Sequence, residues 1–212
     1  MDTEVEKNRL IDINPRVSCL VVVLVYLVII VIKHQVLISD EVLRAEFTGD
    51  DFEGYKEALL TFRLVKYLFL TGFFFGAILF TFFLIYGIGF LIKLPLNGRQ
   101  LFNIALLSSF GDILNEGFIV CWFWLSDSFQ IADVFGFYPM SVFSLVNNSD
   151  SFGFPSSFVL QSLNFFLLVK FFLVGLAYYY STEKTAKESY VAAFLTYLLP
   201  VLIIYSFVLV VF

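Results

Sequence analysis

The sequence has little charge, few cysteines and no recognisable catalytic motif. Only 15% of its 212 residues are charged, and His34 is the single histidine. The two cysteines, Cys19 and Cys121, lie far apart in apolar runs, so they predict neither a disulfide framework nor a metal site. The sequence has no basic stripe, glycine-rich phosphate loop or serine elbow. We therefore expect no nucleic-acid partner, no metal, no cofactor and no catalytic residue.

Apolar residues are abundant instead. They make up 60% of the chain, which includes 29 phenylalanines, and the mean hydropathy is +0.90. A soluble domain of this size cannot hide so much apolar surface, whereas lipid can solvate it. Five apolar runs each approach the ~20 residues that a membrane-crossing helix needs. They predict an all-α polytopic helical bundle with spans at about 17–37, 64–92, 101–125, 158–180 and 189–212.

Polar segments separate these runs. We expect residues 38–63 and 126–157 to lie outside the cytoplasm, and residues 1–16 to form a cytoplasmic N-terminal segment. The acidic stretch Thr48–Glu53 predicts a helix start that continues into the second span. The segment 126–157 is rich in Ser, Asn, Phe and Gly, so we expect part of it to lie on the membrane surface. It contains a weak glycosylation sequon at Asn147–Ser149.

Orientation follows from the lysines and arginines of the short loops. Positive residues flank the first span on its N-terminal side and occupy the loops near Arg99 and Lys187, whereas 126–157 has none. This distribution predicts a cytoplasmic N-terminus and an external C-terminus. The segment Lys33–Lys66 goes against the trend, with five positive residues opposed by seven acids. The first apolar run follows an acidic segment and lacks the basic region with which a cleavable signal peptide begins. We therefore expect this run to be kept as a membrane span.

The most informative feature is charge within the membrane. Asp112, Asn115 and Glu116 lie within the third span, and Lys170 lies within the fourth. A charge at the bilayer centre costs ~2.5–3.5 kcal/mol on insertion scales. Asp112 and Glu116 are one helical turn apart and share a face, so Lys170 is a candidate partner for one or both. One interpretation is an ion pair that holds spans three and four together, and the other is an ion or proton path.

Glycines indicate two further features. Gly72 and Gly76 form a small-xxx-small pattern that lets another helix approach closely. That helix can belong to this chain or to another one, and with five spans available we favour a contact within the chain. Gly111 and Gly117 flank the polar cluster, which predicts an interruption of the third span.

The second half of the chain resembles the Yip-domain family of five-span membrane proteins. The resemblance covers residues 64–212 and rests on Gly98–Phe110 (GRQLFNIALLSSF), Ser162–Phe166 (SLNFF) and Val174–Ala177 (VGLA). A polar turn, STEKTAKESYVAAFLTYLLP, then leads into the last span. The family layout is also five spans with the N-terminus in the cytoplasm.

The sequence departs from this family in two places. It has Gly111 and Asp112 where the family often has proline, and it lacks the long cytoplasmic N-terminal region of the eukaryotic members. That region is tied to Rab GTPases, so a Rab-type partner is doubtful here. The resemblance implies a bacterial-type member and supplies no catalytic residue.

Together these features predict a non-enzymatic integral membrane protein, a scaffold or an accessory subunit of a larger membrane complex. Its partners would be the lipid bilayer and other membrane subunits. The alternative is a small transporter or channel that uses Asp112, Glu116 and Lys170. We expect it in a bacterial inner membrane, with a eukaryotic endomembrane as the alternative.

Overall fold

The computed structural model describes residues 14–37, 39–46, 50–126, 129–130, 133–134, 137–145, 154–182 and 184–211. Predictions that concern 1–13, the sequon Asn147–Ser149 or Phe212 lie outside these residues. The described helices, numbered in chain order, are α1 (Pro15–Leu37), α2 (Asp40–Glu46), α3 (Asp50–Leu91), α4 (Gly98–Ser108), α5 (Phe110–Trp124), α6 (Phe154–Ser162), α7 (Phe165–Ser181), α8 (Ala186–Ala193) and α9 (Leu199–Val211). A π-helical turn, Phe194–Leu198, joins α8 to α9. No strand occurs in the described part of the chain, which is therefore all-α as predicted.

Four helical stretches are long and apolar enough to cross a membrane. They are Pro15–Leu37, Leu60–Leu91, Gly98–Trp124 and Ala186–Val211. Lipid offers the backbone no hydrogen bonds, so even the β-branched run of α1 becomes helical. The four stretches indicate an integral membrane protein. A fifth apolar helix, α7, has 17 residues and is about 26 Å long, slightly less than the hydrocarbon thickness.

Helix α3 is longer than the span predicted for it. It has 42 residues and begins at Asp50, so the acidic stretch does run into the apolar one without interruption. Its candidate span starts only at Leu60, which leaves about 15 Å of helix before it.

The third predicted span is interrupted, but not at its glycines. Helix α4 ends at Ser108 and α5 starts at Phe110, whereas Gly111 and Gly117 both lie inside α5. The hydroxyl groups of Ser108 and Ser109 donate hydrogen bonds to the carbonyl oxygens of Ala105 (2.7 Å) and Leu106 (2.6 Å). Such side-chain bonds compete with the helical backbone and bend helices, which explains the position of the interruption.

The fourth predicted span, 158–180, is not one helix. It divides at Leu163–Asn164 into α6 and α7, because Asn164 caps α7 by accepting a hydrogen bond from the Leu167 amide. The freed backbone groups find partners in the preceding loop. The Val142 amide donates to the Leu163 carbonyl at 2.9 Å, and the Phe165 amide donates to the Met140 carbonyl at 3.2 Å. Part of the segment 126–157 therefore supplies hydrogen-bond partners at the break between α6 and α7. That part of this segment lies on the membrane surface stays a prediction.

The chain forms two compact units. Unit A comprises the described residues of Val23–Gly76 and Asp112–Phe137, and unit B comprises those of Met1–Val22, Ala77–Gly111 and Tyr138–Phe212. The core of unit A contains Leu37, Ile119, Phe123 and Val134. Elsewhere in the same unit the rings of Tyr26 and Phe74 stack in parallel, with centroids 3.9 Å apart.

Unit B is organised around α7, which packs against α4 and α8. The Tyr178 hydroxyl shares a 2.9 Å hydrogen bond with the Thr196 hydroxyl of the π-helical turn, and both residues are buried. One turn earlier in α7, Gly175 faces the ring of Tyr190 so closely that a Cβ atom there would overlap it. This glycine therefore sets how closely α7 and α8 approach.

Replacing Gly175 with alanine should destabilise unit B, because overpacking a close contact costs about 1–3 kcal/mol. Gly87→Ala is the matched control, since no described atom lies within 4 Å of a Cβ at that position. Thermal unfolding of the detergent-solubilised protein should show a lower midpoint for Gly175→Ala alone. Equal midpoints for the two variants would contradict the contact.

Candidate functional site

The predicted polar cluster contains an ion pair that links the first and third spans. The Lys33 ammonium of α1 donates to Glu116 Oε2 of α5 at 2.8 Å. Both side chains keep only about one fifth of their surface exposed, at 22% and 21%. A lysine and a carboxylate held at this distance form a charge-assisted hydrogen bond, in which each group neutralises the other.

This pairing gives Glu116 a partner that the sequence analysis does not name. The sequence predicts Lys170 as a partner of Asp112, Glu116 or both, and the structure shows Lys33 at Glu116 Oε2. Asp112 and Lys170 each have interactions of their own.

The two charges lie at different positions along their helices. Lys33 is four residues, or about 6 Å, before the end of α1 at Leu37, whereas Glu116 lies near the middle of α5. A lysine this close to a helix end can extend its ammonium towards the interface, which lowers the cost of inserting Lys33.

Other polar groups surround the pair in unit A. Tyr26 lies on α1 two turns before Lys33, and its buried ring stacks on that of Phe74. Asn115 also lies on α5, and its Oδ1 atom is buried with no hydrogen-bond partner among the described residues. An unsatisfied buried carbonyl oxygen is unusual in a folded protein. The predicted residues Asp112, Asn115 and Glu116 thus belong to one polar region of unit A.

Lys170 is positioned by a glycine in unit B. Its aliphatic stem lies over Gly111, where an added Cβ would be 2.5 Å from the Lys170 Cγ atom and 3.1 Å from the Phe166 carbonyl oxygen. Gly111 therefore allows α5 to begin directly against α7. We had interpreted this glycine as a helix interruption, but its observed role is close packing.

The predicted contact of Gly72 and Gly76 within the chain is not found among the described residues. No described atom lies within 4 Å of a Cβ at either position, and both glycines are exposed. The buried face of α3 is instead formed by residues spaced four, three and four apart, namely Phe74, Ile78, Thr81 and Ile85. The two glycines lie away from that face and are open to lipid or to another chain.

Sequence reasoning missed Lys33, which it counts only among the positive residues of the segment Lys33–Lys66. In the predicted order of five spans the first and third helices run in the same direction, so charges at a similar depth in them can meet. Their exact pairing depends on tertiary packing.

Comparison with known proteins gives no relative. The sequence matches no family model, no curated protein and no solved structure. The assignment of function therefore rests on the residues themselves.

Removing one member of the Lys33–Glu116 pair should destabilise the protein. Lys33→Met leaves a carboxylate with no counter-charge, at a cost of up to about 3 kcal/mol. Adding Glu116→Gln should recover part of this loss, because the orphaned charge disappears. Lys187→Met, at an exposed position, is the control. The free energy of unfolding in detergent is measured for Lys33→Met, Glu116→Gln, the double variant and Lys187→Met.

A transport site would give a different result with these variants. Lys33→Met and Glu116→Gln would each retain the stability of the parent, and the double variant would show no recovery. That result would remove the structural interpretation of the pair.

Proposed function

We propose that this chain is a non-enzymatic integral membrane protein that packs against another membrane protein, as a scaffold or accessory subunit. The observation that carries the proposal is the exposed face of α3, opposite the buried face described above. Along this face phenylalanines, interrupted by two glycines, follow one another at spacings of four and three residues: Phe69, Phe73, Gly76, Phe80, Phe83, Gly87 and Phe90. We call these seven residues the Phe–Gly face.

The Phe–Gly face suits helix packing in lipid. Its phenylalanines keep between 53% and 77% of their surface exposed, and the two glycines leave shallow openings between them. Small residues let two helix backbones approach, and spacings of three and four place side chains in a continuous seam. The seam extends over 22 residues, from Phe69 to Phe90, or about 32 Å, which matches the hydrocarbon thickness.

The neutralised ion pair also favours this proposal over transport. A transport site needs charged groups that can exchange partners with an ion or a proton. Glu116 is instead engaged by Lys33 at 2.8 Å, an arrangement that fixes α1 against α5. Transport through Asp112, Glu116 and Lys170 is thus the second candidate. It would be favoured if Lys33→Met and Glu116→Gln each kept the stability of the parent and the double variant showed no recovery.

We further infer five spans, with α7 as the short fourth crossing, a cytoplasmic N-terminus and an external C-terminus. The loop charges around Arg99 and Lys187 support this orientation. The spacing of Gly98–Phe110 and Val174–Ala177 supports kinship with Yip-domain proteins. On the same grounds we propose a bacterial inner membrane as its location.

Blocking the Phe–Gly face should release the partner. Gly76→Leu fills the opening between Phe73 and Phe80, so a second helix can no longer approach closely. The tagged protein is purified in mild detergent from membranes of its native host, and the mass and composition of the particle are measured. We expect a complex that contains further subunits for the parent, and at least a tenfold loss of them for Gly76→Leu.

Gly117→Leu is the matched control, because it makes the same substitution in a second apolar helix at a position with open space. It should retain the complex. A parent particle that contains one chain and detergent only, or a Gly76→Leu variant with an unchanged complex, would contradict the proposal.

A further inference from the structure

The last helical stretch, Ala186–Val211, is not a uniform helix. Its π-helical turn separates α8 from α9, and Pro200 follows as the second residue of α9. Proline has no amide hydrogen to donate to the carbonyl group four residues earlier, here Thr196, and its ring collides with that group. The helix widens before this point, where the Leu199 amide donates to the Phe194 carbonyl, five residues back. Sharp bends in helices occur at prolines and at π-helical turns, and this stretch has both.

The half of the stretch that precedes Pro200 is fixed to α7. The ring of Tyr190 lies against Gly175, as described above. The Thr196 hydroxyl donates to the Ala192 carbonyl at 2.8 Å, so it accepts the 2.9 Å hydrogen bond from the Tyr178 hydroxyl. Both hydroxyl groups belong to buried residues, and breaking this bond would leave two buried polar groups unsatisfied.

The half that follows Pro200 is held more loosely. Val201 is the last buried residue in the described part of α9, and Leu202 and Tyr205 pack partly against the core of unit B. The side chains from Ser206 to Val211 are exposed or half-buried. Outside its own stretch, the main neighbour of α9 is the short helix α6. A segment with few buried contacts moves at low cost.

The bilayer makes such movement easier than water would. A helix that swings as a rigid body keeps its own backbone hydrogen bonds, so it leaves no polar group unsatisfied in lipid. Lipid tails are as apolar as the side chains of α9, and parting α9 from α6 therefore carries no hydrophobic penalty.

We propose that Pro200 and the π-helical turn form a hinge, about which α9 moves relative to α7 and α8. The Tyr178–Thr196 hydrogen bond fixes one side of this hinge. The contact between α9 and α6 opens and closes as α9 moves, while α7 and α8 stay together. This movement involves neither the Phe–Gly face nor a partner protein, so it stands independently of the function proposed above.

The test measures distances between two spin labels in the full chain, made cysteine-free and reconstituted in lipid nanodiscs. One label is placed on α7 at Leu168, and the second at Phe207 in α9 or, as the control pair, at Lys187 in α8. All three side chains are exposed. Double electron–electron resonance should give a distance distribution about twice as broad for Leu168–Phe207 as for Leu168–Lys187, because only the first pair spans the hinge.

Pro200→Ala restores the missing amide, so it should narrow the Leu168–Phe207 distribution to the width of the control pair. Pro95→Ala makes the same substitution in the loop between α3 and α4 and should change neither pair. Hydrogen exchange of the α9 amides should stay slow in the parent, since a hinged helix remains helical.

Equal widths for the two pairs in the parent would overturn the proposal, and this comparison needs no variant at position 200. An unchanged width in a folded Pro200→Ala variant would overturn it as well. Rapid exchange throughout α9 would do the same, because it would show that the helix unfolds where the hinge requires it to swing intact.

Discussion

The absence of hydrogen-bonding solvent in a bilayer governs the rest of this structure. Every backbone polar group that leaves the helical pattern must find a partner within the chain. The hydroxyl groups of Ser108 and Ser109 donate to carbonyl groups at the break between α4 and α5. The loop around Met140 and Val142 supplies partners where α6 and α7 separate. The Lys33–Glu116 pair follows the same rule for charge, because each group makes the other tolerable in apolar surroundings.

Each functional feature uses a different consequence of this rule. A paired charge holds α1 against α5. The Phe–Gly face is apolar, and its combination of phenylalanines and glycines supports the proposal that a second helix packs there. These features support a protein that organises its surroundings through contacts.

The sequence predicted what depends on local composition and left open what depends on packing. Long apolar runs identified the helices, since length and hydropathy decide whether a segment crosses a membrane. The Lys33–Glu116 pair is not predicted because sequence distance says nothing about which of several helices lies beside α5. Gly111 and Gly117 predict an interruption of the third span, whereas the break lies at Ser109. Glycine permits both a break and a close approach, and only the position of Lys170 shows which applies at Gly111. The open space at Gly76 likewise required the arrangement of the neighbouring helices.

The central claim is a membrane protein whose helices cross the bilayer five times, and topology tests it most directly. Single cysteines at Ser39, Pro95, Gln130 and Lys187, in an otherwise cysteine-free chain, are treated in intact cells with an impermeant maleimide. The account predicts labelling at Ser39 and Gln130, and labelling at Pro95 and Lys187 only after permeabilisation. Labelling of Gln130 and Lys187 from the same side would mean that α7 does not cross and would contradict the five-span arrangement.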